Sequence, residues 1–410
     1  MPLRLIKNTV LLFVLSYYSC ANSGSQSLPI NSVDGTAQQA NLITGANQTS
    51  AYLPLLKGKK IAIVANQTSV IFKDNENEYT HLVDSLIKHN VEITRVFAPE
   101  HGFRGIADAG EVVEDGTDTK TGVSIVSLYG KNKKPQPNQL KGIDLMVFDI
   151  QDVGVRFYTY ISTLHYVMEA CAENQIPLLI LDRPNPNGHY IDGPILNAKN
   201  KSFVGMHPIP VVHGMTIGEY ALMINGEDWL NTEISCDLKV IKVLNYTHEI
   251  NYDLPIKPSP NLPNSKAVNL YPSLCFFEGT NVSVGRGTNM QFQVIGSPYL
   301  KAHYDFVFTP RANDGAKYPK HENLECYGLD LRDEPSQQGI NLSWLIEFYK
   351  AHMDSKPDSV FFNDFFRNLA GTDELQQQIE RGWTSEAIKK SWQSDLIKFH
   401  EIRKKYLIYP

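Results

Sequence analysis

The residues best suited to chemistry are carboxylates and basic groups that follow short apolar runs. Glu100-His101-Gly102-Phe103-Arg104 comes directly after the run 92–97. A carboxyl just beyond a buried strand is partly desolvated. Desolvation disfavours the ionised form, which is the condition a general acid needs. Gly102 lets the backbone approach a ligand, and His101 adds a titratable group at the same point. The alternative is a Glu–His or Glu–Arg pair that only fixes the loop. Asp149-Ile150-Gln151-Asp152-Val153-Gly154-Val155-Arg156 places two carboxylates three residues apart after the run 143–148. Asp149 and Asp152 suit a second acid/base group, a holder of the attacking water, or a binder of sugar hydroxyls. A single D-x-x-D without neighbouring His is a poor metal site, and Asp152 equally suits a helix cap.

Further candidates lie along the chain. Asp182-Arg183-Pro184-Asn185-Pro186 is a proline-stiffened turn that would hold Asp182 and Asn185 in place, either for a ligand or for the turn itself. His213-Gly214 ends the run 209–212, where a structural histidine is the competing reading. Arg104, Arg156 and Arg286 are suited to an anionic ligand, because guanidinium binds carboxylate bidentately. Arg286, between Gly285 and Gly287, is displayed by its own loop. Tyr158, Tyr160, Tyr271 and Phe277 offer a sugar-stacking face, although aromatics in such places are usually core.

These groups need a scaffold that gathers them. Apolar runs at 60–64, 92–97, 123–128, 143–148, 177–181 and 209–212 alternate with helical patterns at 81–89, 160–173 and 216–224. Continuous apolar strands separated by helices predict an α/β fold, a mostly parallel sheet with helices on both faces. Ligands of such sheets sit beyond the carboxyl ends of the strands. Polar clusters end five of the runs, at Asn66, Glu100, Asp149/Asp152, Asp182/Arg183 and His213, which predicts one shared rim. The proline-dense segment 253–263 marks a boundary strap or linker. A smaller C-terminal α+β domain is expected over 256–410, with helices near 341–353, 359–369, 373–380 and 384–404.

The chain has 410 residues, 42% hydrophobic and 20% charged, with a net charge of −6. This composition excludes disordered and fibrous classes. An acidic chain with no Lys/Arg block is a poor nucleic-acid binder. The sequence lacks a G-x-G-x-x-G after its first strand, a Walker loop, H-E-x-x-H and G-x-S-x-G, which argues against dinucleotide, kinase, zinc-protease and serine-hydrolase chemistry. No metal or cofactor is expected. Cys171, Cys236, Cys275 and Cys326 form no C-x-x-C pair, and neither a disulfide nor a zinc site is expected from them. At the N-terminus, Arg4 and Lys7 precede an apolar run over 10–15 and then Ser19-Cys20. Residues 1–20 therefore read as an export signal, of lipoprotein type with Cys20 as the lipidated residue or else a cleaved signal without a lipid. Residues 21–50 read as a flexible tether, and 51–255 as the catalytic domain.

Several stretches together resemble the exo-β-N-acetylmuramidase family (glycoside hydrolase family 171). They are 65–69 (A-N-Q-T-S), 97–105 (F-A-P-E-H-G-F-R-G), 148–160 (F-D-I-Q-D-V-G-V-R-F-Y-T-Y), 182–186 (D-R-P-N-P), and 278–281 (E-G-T-N) with 285–288 (G-R-G-T). The resemblance implies a Rossmann-like domain beside a smaller second domain, with the site in the cleft between them. It also implies release of N-acetylmuramic acid from non-reducing ends of peptidoglycan fragments, in cell-wall turnover. The family's proposed catalytic glutamate falls on Glu100. On this basis Glu100, Asp149, Asp152 and His101 are the expected catalytic group. Asn66, Gln67, Arg104, Arg156, Tyr158, Asp182, Arg183, Asn185, His213, Glu278 and Arg286 are the expected substrate contacts. The lactyl carboxylate of N-acetylmuramic acid would give the arginines a target. A peptidoglycan-derived saccharide is the expected partner, with membrane contact only through a lipid on Cys20 and an exported, periplasmic location. The rival readings are a non-catalytic muropeptide-binding lipoprotein and a metal-dependent amidase or deacetylase on the same polymer.

Overall fold

Each apolar run buries its two sets of alternating side chains against different partners. Ile61, Ile63 and Ala65 join a core with Tyr52, Leu56, Leu82 and Leu86, whereas Ala62 and Val64 join another with Phe97, Met146, Phe148, Leu164 and Val167. Period-two alternation places successive residues on opposite faces, so both faces of the sheet are covered, as the continuous apolar runs predicted. A fully buried Phe or Ile of this kind contributes about 1.5–3 kcal/mol.

The computed structural model describes residues 42–73, 78–104, 111 and 115–410. The expected signal, and most of the expected tether, lie outside these residues. In chain order the strands are β1 (Lys60–Ala65), β2 (Val70–Phe72), β3 (Tyr79–His81), β4 (Glu92–Ala98), β5 (Gly116–Thr117), β6 (Ser124–Ser127), β7 (Leu145–Asp149), β8 (Leu178–Leu181), β9 (Leu238–Ile241), β10 (Val294–Ser297), β11 (Phe306–Phe308) and β12 (Cys326–Asp330). The helices are α1 (Thr49–Leu56), α2 (Leu82–Lys88), α3 (Pro137–Leu140), α4 (Tyr160–Glu173), α5 (Ile217–Gly226), α6 (Ser265–Leu274), α7 (Ser343–Ser355), α8 (Phe365–Ala370), α9 (Glu374–Glu380), α10 (Ser385–Ser391) and α11 (Gln393–Arg403).

The main sheet runs β5-β6-β4-β1-β7-β8-β9, parallel except for the edge pair β5–β6. Numbered by their own succession, the six parallel strands stand in the order 3-2-1-4-5-6, the doubly wound arrangement whose ligand crevice opens between β1 and β7. In this chain that crevice is bridged. Gln67, just after β1, donates to the Pro258 carbonyl at 2.9 Å, and the Tyr160 hydroxyl donates to the same carbonyl at 3.1 Å. The proline-dense segment is thus a strap packed over the strand ends, with Ser259, Asn261 and Leu262 buried. Beyond it lies a three-stranded antiparallel sheet, β10-β12-β11, with α6–α11 around it. One core cluster continues from α4 and α5 into Phe276, Phe277, Phe348 and Phe366 of the C-terminal region.

Three expectations change. Residues 209–212 form no strand of the sheet, because Pro208 and Pro210 deprive the segment of ladder donors. The edge is instead β9, whose half-exposed residues give a weak apolar signal. Residues 42–50, expected to belong to the flexible tether, are also fixed to the fold. Gly45 donates to the Asp182 carbonyl at 2.8 Å, Ile43 bridges Leu244, and a Cβ on Gly45 would lie 2.5 Å from the Asp182 nitrogen. A polar stretch can therefore be fixed by close backbone approach without apolar periodicity. The helix expected over 384–404 is two helices, α10 and α11, meeting at Trp392.

Candidate active site

Glu100 leaves β4 in a tight turn. Gly102 donates to the Pro99 carbonyl at 3.0 Å, and His101 and Gly102 both hold left-handed backbone, at φ 70° and 78°. The turn carries the Glu100 carboxylate to a cleft of about 580 Å³ that also receives His101, Tyr158 and Thr159. Thr159 donates to Glu100 Oε2 at 2.6 Å, and the Tyr129 hydroxyl also hydrogen-bonds this carboxylate. Thr159 is the N-cap residue of α4, yet its side chain makes no cap bond. Its hydroxyl fixes the glutamate in place of a helix N–H.

Other lining residues come from the C-terminal region. Glu278, in a 3-10 turn after α6, accepts from Arg286 Nη1 at 3.1 Å. Arg286 is displayed between Gly285 and Gly287, at φ 77° and 81°; a Cβ on either glycine would meet a backbone oxygen at 2.7 Å. Only glycine fits these two places without strain, so the loop presents the arginine by construction. Lys320 lies against the same turn. Its Nζ donates to the Phe277 and Val282 carbonyls, each at 3.1 Å, and to the Thr280 carbonyl. Burial pushes its ammonium down to about 8, against the pull of Glu278. The described cleft lining therefore has three cations, Lys133, Arg286 and Lys320, and two carboxylates, Glu100 and Glu278. In an acidic chain this is a local excess of positive charge.

Residues 61–266 match the N-terminal domain, and residues 269–409 the C-terminal domain, of the family described as exo-β-N-acetylmuramidase NamZ. The chain belongs to the exo-β-N-acetylmuramidase family. The peptidoglycan β-N-acetylmuramidase NamZ of Bacillus subtilis (strain 168) is 38% identical over 423 residues, covering 98% of this chain and all of that protein. Two crystal structures of DUF1343 family proteins from Bacteroides fragilis NCTC 9343 share the fold. One is 48% identical with a TM-score of 0.81 and the other 28% identical with a TM-score of 0.74; each alignment covers 90% of this chain and 99% of that chain. Within the exo-β-N-acetylmuramidase family frame, Glu100, His101, Tyr158, Glu278 and Arg286 are the expected residues that line the cleft together.

The remaining expected residues build the loops around it. Asp149 is fully buried in an ion pair with Arg183, which approaches its two oxygens at 2.6 and 2.9 Å and donates also to the Val70 carbonyl. The pair ties the end of β7 to the loop after β8, outside the cleft lining. Asp182 accepts from Gly218 and Arg183 backbone N–H and from the Thr216 and Tyr409 hydroxyls, so it holds the start of α5; burial pushes its carboxyl up to about 6. Asn185 bonds Met215 and Asn187, and Asn66 folds its own turn through Thr68. Arg104 pairs with Asp118 at 2.7 Å and Asp84 at 3.4 Å. Arg156 is fully buried and spends its guanidinium on the carbonyls of Pro194, Ile209, Leu369 and Ala370, tying the C-terminal end of α8 to the first region. Burying a polar group is costly without a partner, and most of the polar atoms in these loops bond one another or the backbone, Arg156 Nε and Asn187 Oδ1 being exceptions. Among the described residues no cluster of three His, Cys, Asp or Glu is arranged to hold a metal ion. Cys171, Cys236, Cys275 and Cys326 are buried free thiols.

Asp152 is buried close to Tyr158 and Tyr160 without lining the cleft. It accepts from Gly154 N at 2.7 Å, and His213 Nε2 lies 4.0 Å away. Burial keeps His213 neutral, pushing it down to about 3, and raises Asp152 from its ordinary 3.8 to about 7. The folded chain thus holds a proton between about pH 4 and 7 that the unfolded chain has released. The stability this group contributes is complete below about pH 4 and is lost as pH rises through about 7. We expect Asp152→Asn, which keeps an oxygen for Gly154, to narrow the difference in Tm between pH 5 and pH 8. An unchanged difference in thermal denaturation would show Asp152 ionised in the fold.

Proposed function

We propose that this protein is an exo-acting β-N-acetylmuramidase, a glycoside hydrolase that releases N-acetylmuramic acid from the non-reducing ends of peptidoglycan fragments. The observation that carries the reading is the position of Glu100. Two hydroxyl partners hold its carboxylate in a cleft whose lining also holds Glu278 paired with Arg286. Glycosidases cleave between two carboxyl groups. Glu100 protonates the glycosidic oxygen, so that the bond to C1 breaks and the leaving sugar departs as an alcohol, while the oxygen of water ends bonded to C1 of the released N-acetylmuramic acid. Glu278 supplies the second carboxylate, the role the sequence offered to Asp149 or Asp152. Arg286 matches the lactyl carboxylate that distinguishes N-acetylmuramic acid from N-acetylglucosamine, and the charge of Lys320 in the same lining adds to the attraction. Incubating the protein with glycan fragments that end in N-acetylmuramic acid is expected to yield that sugar as the monomer, detected by mass spectrometry. Binding of the fragments without any product would support the capture reading instead.

Export is part of the same proposal. Arg4, Lys7, the apolar run over 10–15 and Ser19-Cys20 support a lipoprotein signal that anchors the enzyme near wall-turnover fragments. In cell fractionation, Cys20→Ala is expected to move the protein from the membrane to the soluble exported fraction. Equal membrane retention of both forms would remove Cys20 as the anchor.

A further inference from the structure

We propose that Tyr318, assisted by Phe365, is a stacking platform for the leaving saccharide, the sugar that follows the released N-acetylmuramic acid. The inference rests on the glycosidase reading above and adds a subsite to it. The cleft is graded in exposure. Tyr158, Tyr271 and Phe292 are buried in its wall, whereas Tyr318 is 92% exposed and Phe365 38% exposed, and all five line the same cavity as Glu100. An exo-acting hydrolase holds the terminal sugar at the enclosed end of its pocket, so the remainder of the glycan must leave by the open end. The exposed rings therefore lie on the leaving-group side.

A single exposed aromatic is ordinary on a protein surface. Tyr318 differs in how its backbone is held. Two residues on, Lys320 is fastened to the carbonyls of Phe277, Thr280 and Val282. Three residues back, the Gly315 carbonyl accepts from Asn261 Nδ2 at 2.7 Å, while Asn313 and Ala316 pair with each other at 3.0 and 3.1 Å. Lys317 is bonded to Glu111 at 2.6 Å. The loop is thus fixed on both sides of a ring left to solvent. A ring face presented from a fixed loop loses little freedom when a flat partner lies on it. A pyranose has such a face, formed by its axial C–H groups, and an aromatic ring is a good partner for it. The hydroxyl of Tyr318 at the ring edge suits the equatorial hydroxyls around that face.

The test compares two substrates that differ only in the leaving group: the β-linked disaccharide of N-acetylmuramic acid and N-acetylglucosamine, and the methyl β-glycoside of N-acetylmuramic acid. With the full chain, Tyr318→Ala is expected to raise KM for the disaccharide about three- to tenfold. It should leave kcat on the disaccharide, and all parameters on the methyl glycoside, unchanged. Tyr318→Phe should restore most of the disaccharide KM. An unchanged KM for the disaccharide, or an equal shift on both substrates, overturns the platform. If the wild-type chain hydrolyses neither substrate, the glycosidase reading itself falls, and the platform falls with it.

Discussion

Glu100→Gln is expected to lower kcat about 10²- to 10⁴-fold, the usual worth of a positioned general acid. Gln has the same shape as Glu, and its amide oxygen can still accept from Thr159 and Tyr129, which now hold the carboxylate. The fold and the cleft should therefore survive. What is lost is the proton that the leaving oxygen must receive as the glycosidic bond breaks. The loss should fall on kcat, with KM close to wild type, because the amide still fills the same volume of the lining. Release of N-acetylmuramic acid from its disaccharide with N-acetylglucosamine, whose sugar alcohol cannot leave without a proton, reads the rate, and circular dichroism checks the fold. Near-equal rates would remove Glu100 from the chemistry.

Asp149→Ala is expected to cost about 3–5 kcal/mol of stability and to leave the chemistry of the folded fraction nearly intact. Asp149 is fully buried and Arg183 only 3% exposed, so removing the carboxylate strands a guanidinium away from water. Replacing both partners with apolar residues, Asp149→Leu with Arg183→Met, should recover much of the loss, because a buried ion pair gains little over a well-packed apolar pair. Urea denaturation measures the stabilities. A single variant that is as stable as wild type but inactive would return Asp149 to the reaction, and the assignment of the cleft would then be wrong.

The scaffold was legible because its signal is periodic. Apolar runs bounded by turns gave five of the six parallel strands close to their observed bounds, and the covered two-faced sheet followed from their continuity. The missed edge β9 has an alternating, half-exposed pattern, and the false strand at 209–212 is apolar but contains proline. The site was legible only in part. Glu100 stood out by its place after a buried strand, and Arg286 by its flanking glycines. Asp149, Arg183, Asp182 and Arg156 carry the same residue types at the same kind of loop, yet Asp149 and Arg183 satisfy each other, Asp182 accepts from hydroxyls and backbone N–H, and Arg156 donates to backbone carbonyls, all outside the cleft lining. A sequence gives the types of the groups at a rim, and only the fold says which of them face inward. Lys320 and Tyr318 gave no signal at all, since they sit in a loop between two short strands far along the chain. Thr159 was hidden by adjacency: it lies beside Tyr158 in a stretch read for its aromatics.

A crystal structure of the Glu100→Gln enzyme with the uncleaved disaccharide of N-acetylmuramic acid and N-acetylglucosamine would show whether Glu100 meets the bond that breaks. The glycosidic oxygen is expected within about 2.6–3.2 Å of the amide at position 100, with the lactyl carboxylate turned toward Arg286. A disaccharide seated elsewhere, or seated in this cleft with its glycosidic oxygen out of reach of that amide, would contradict that role of Glu100.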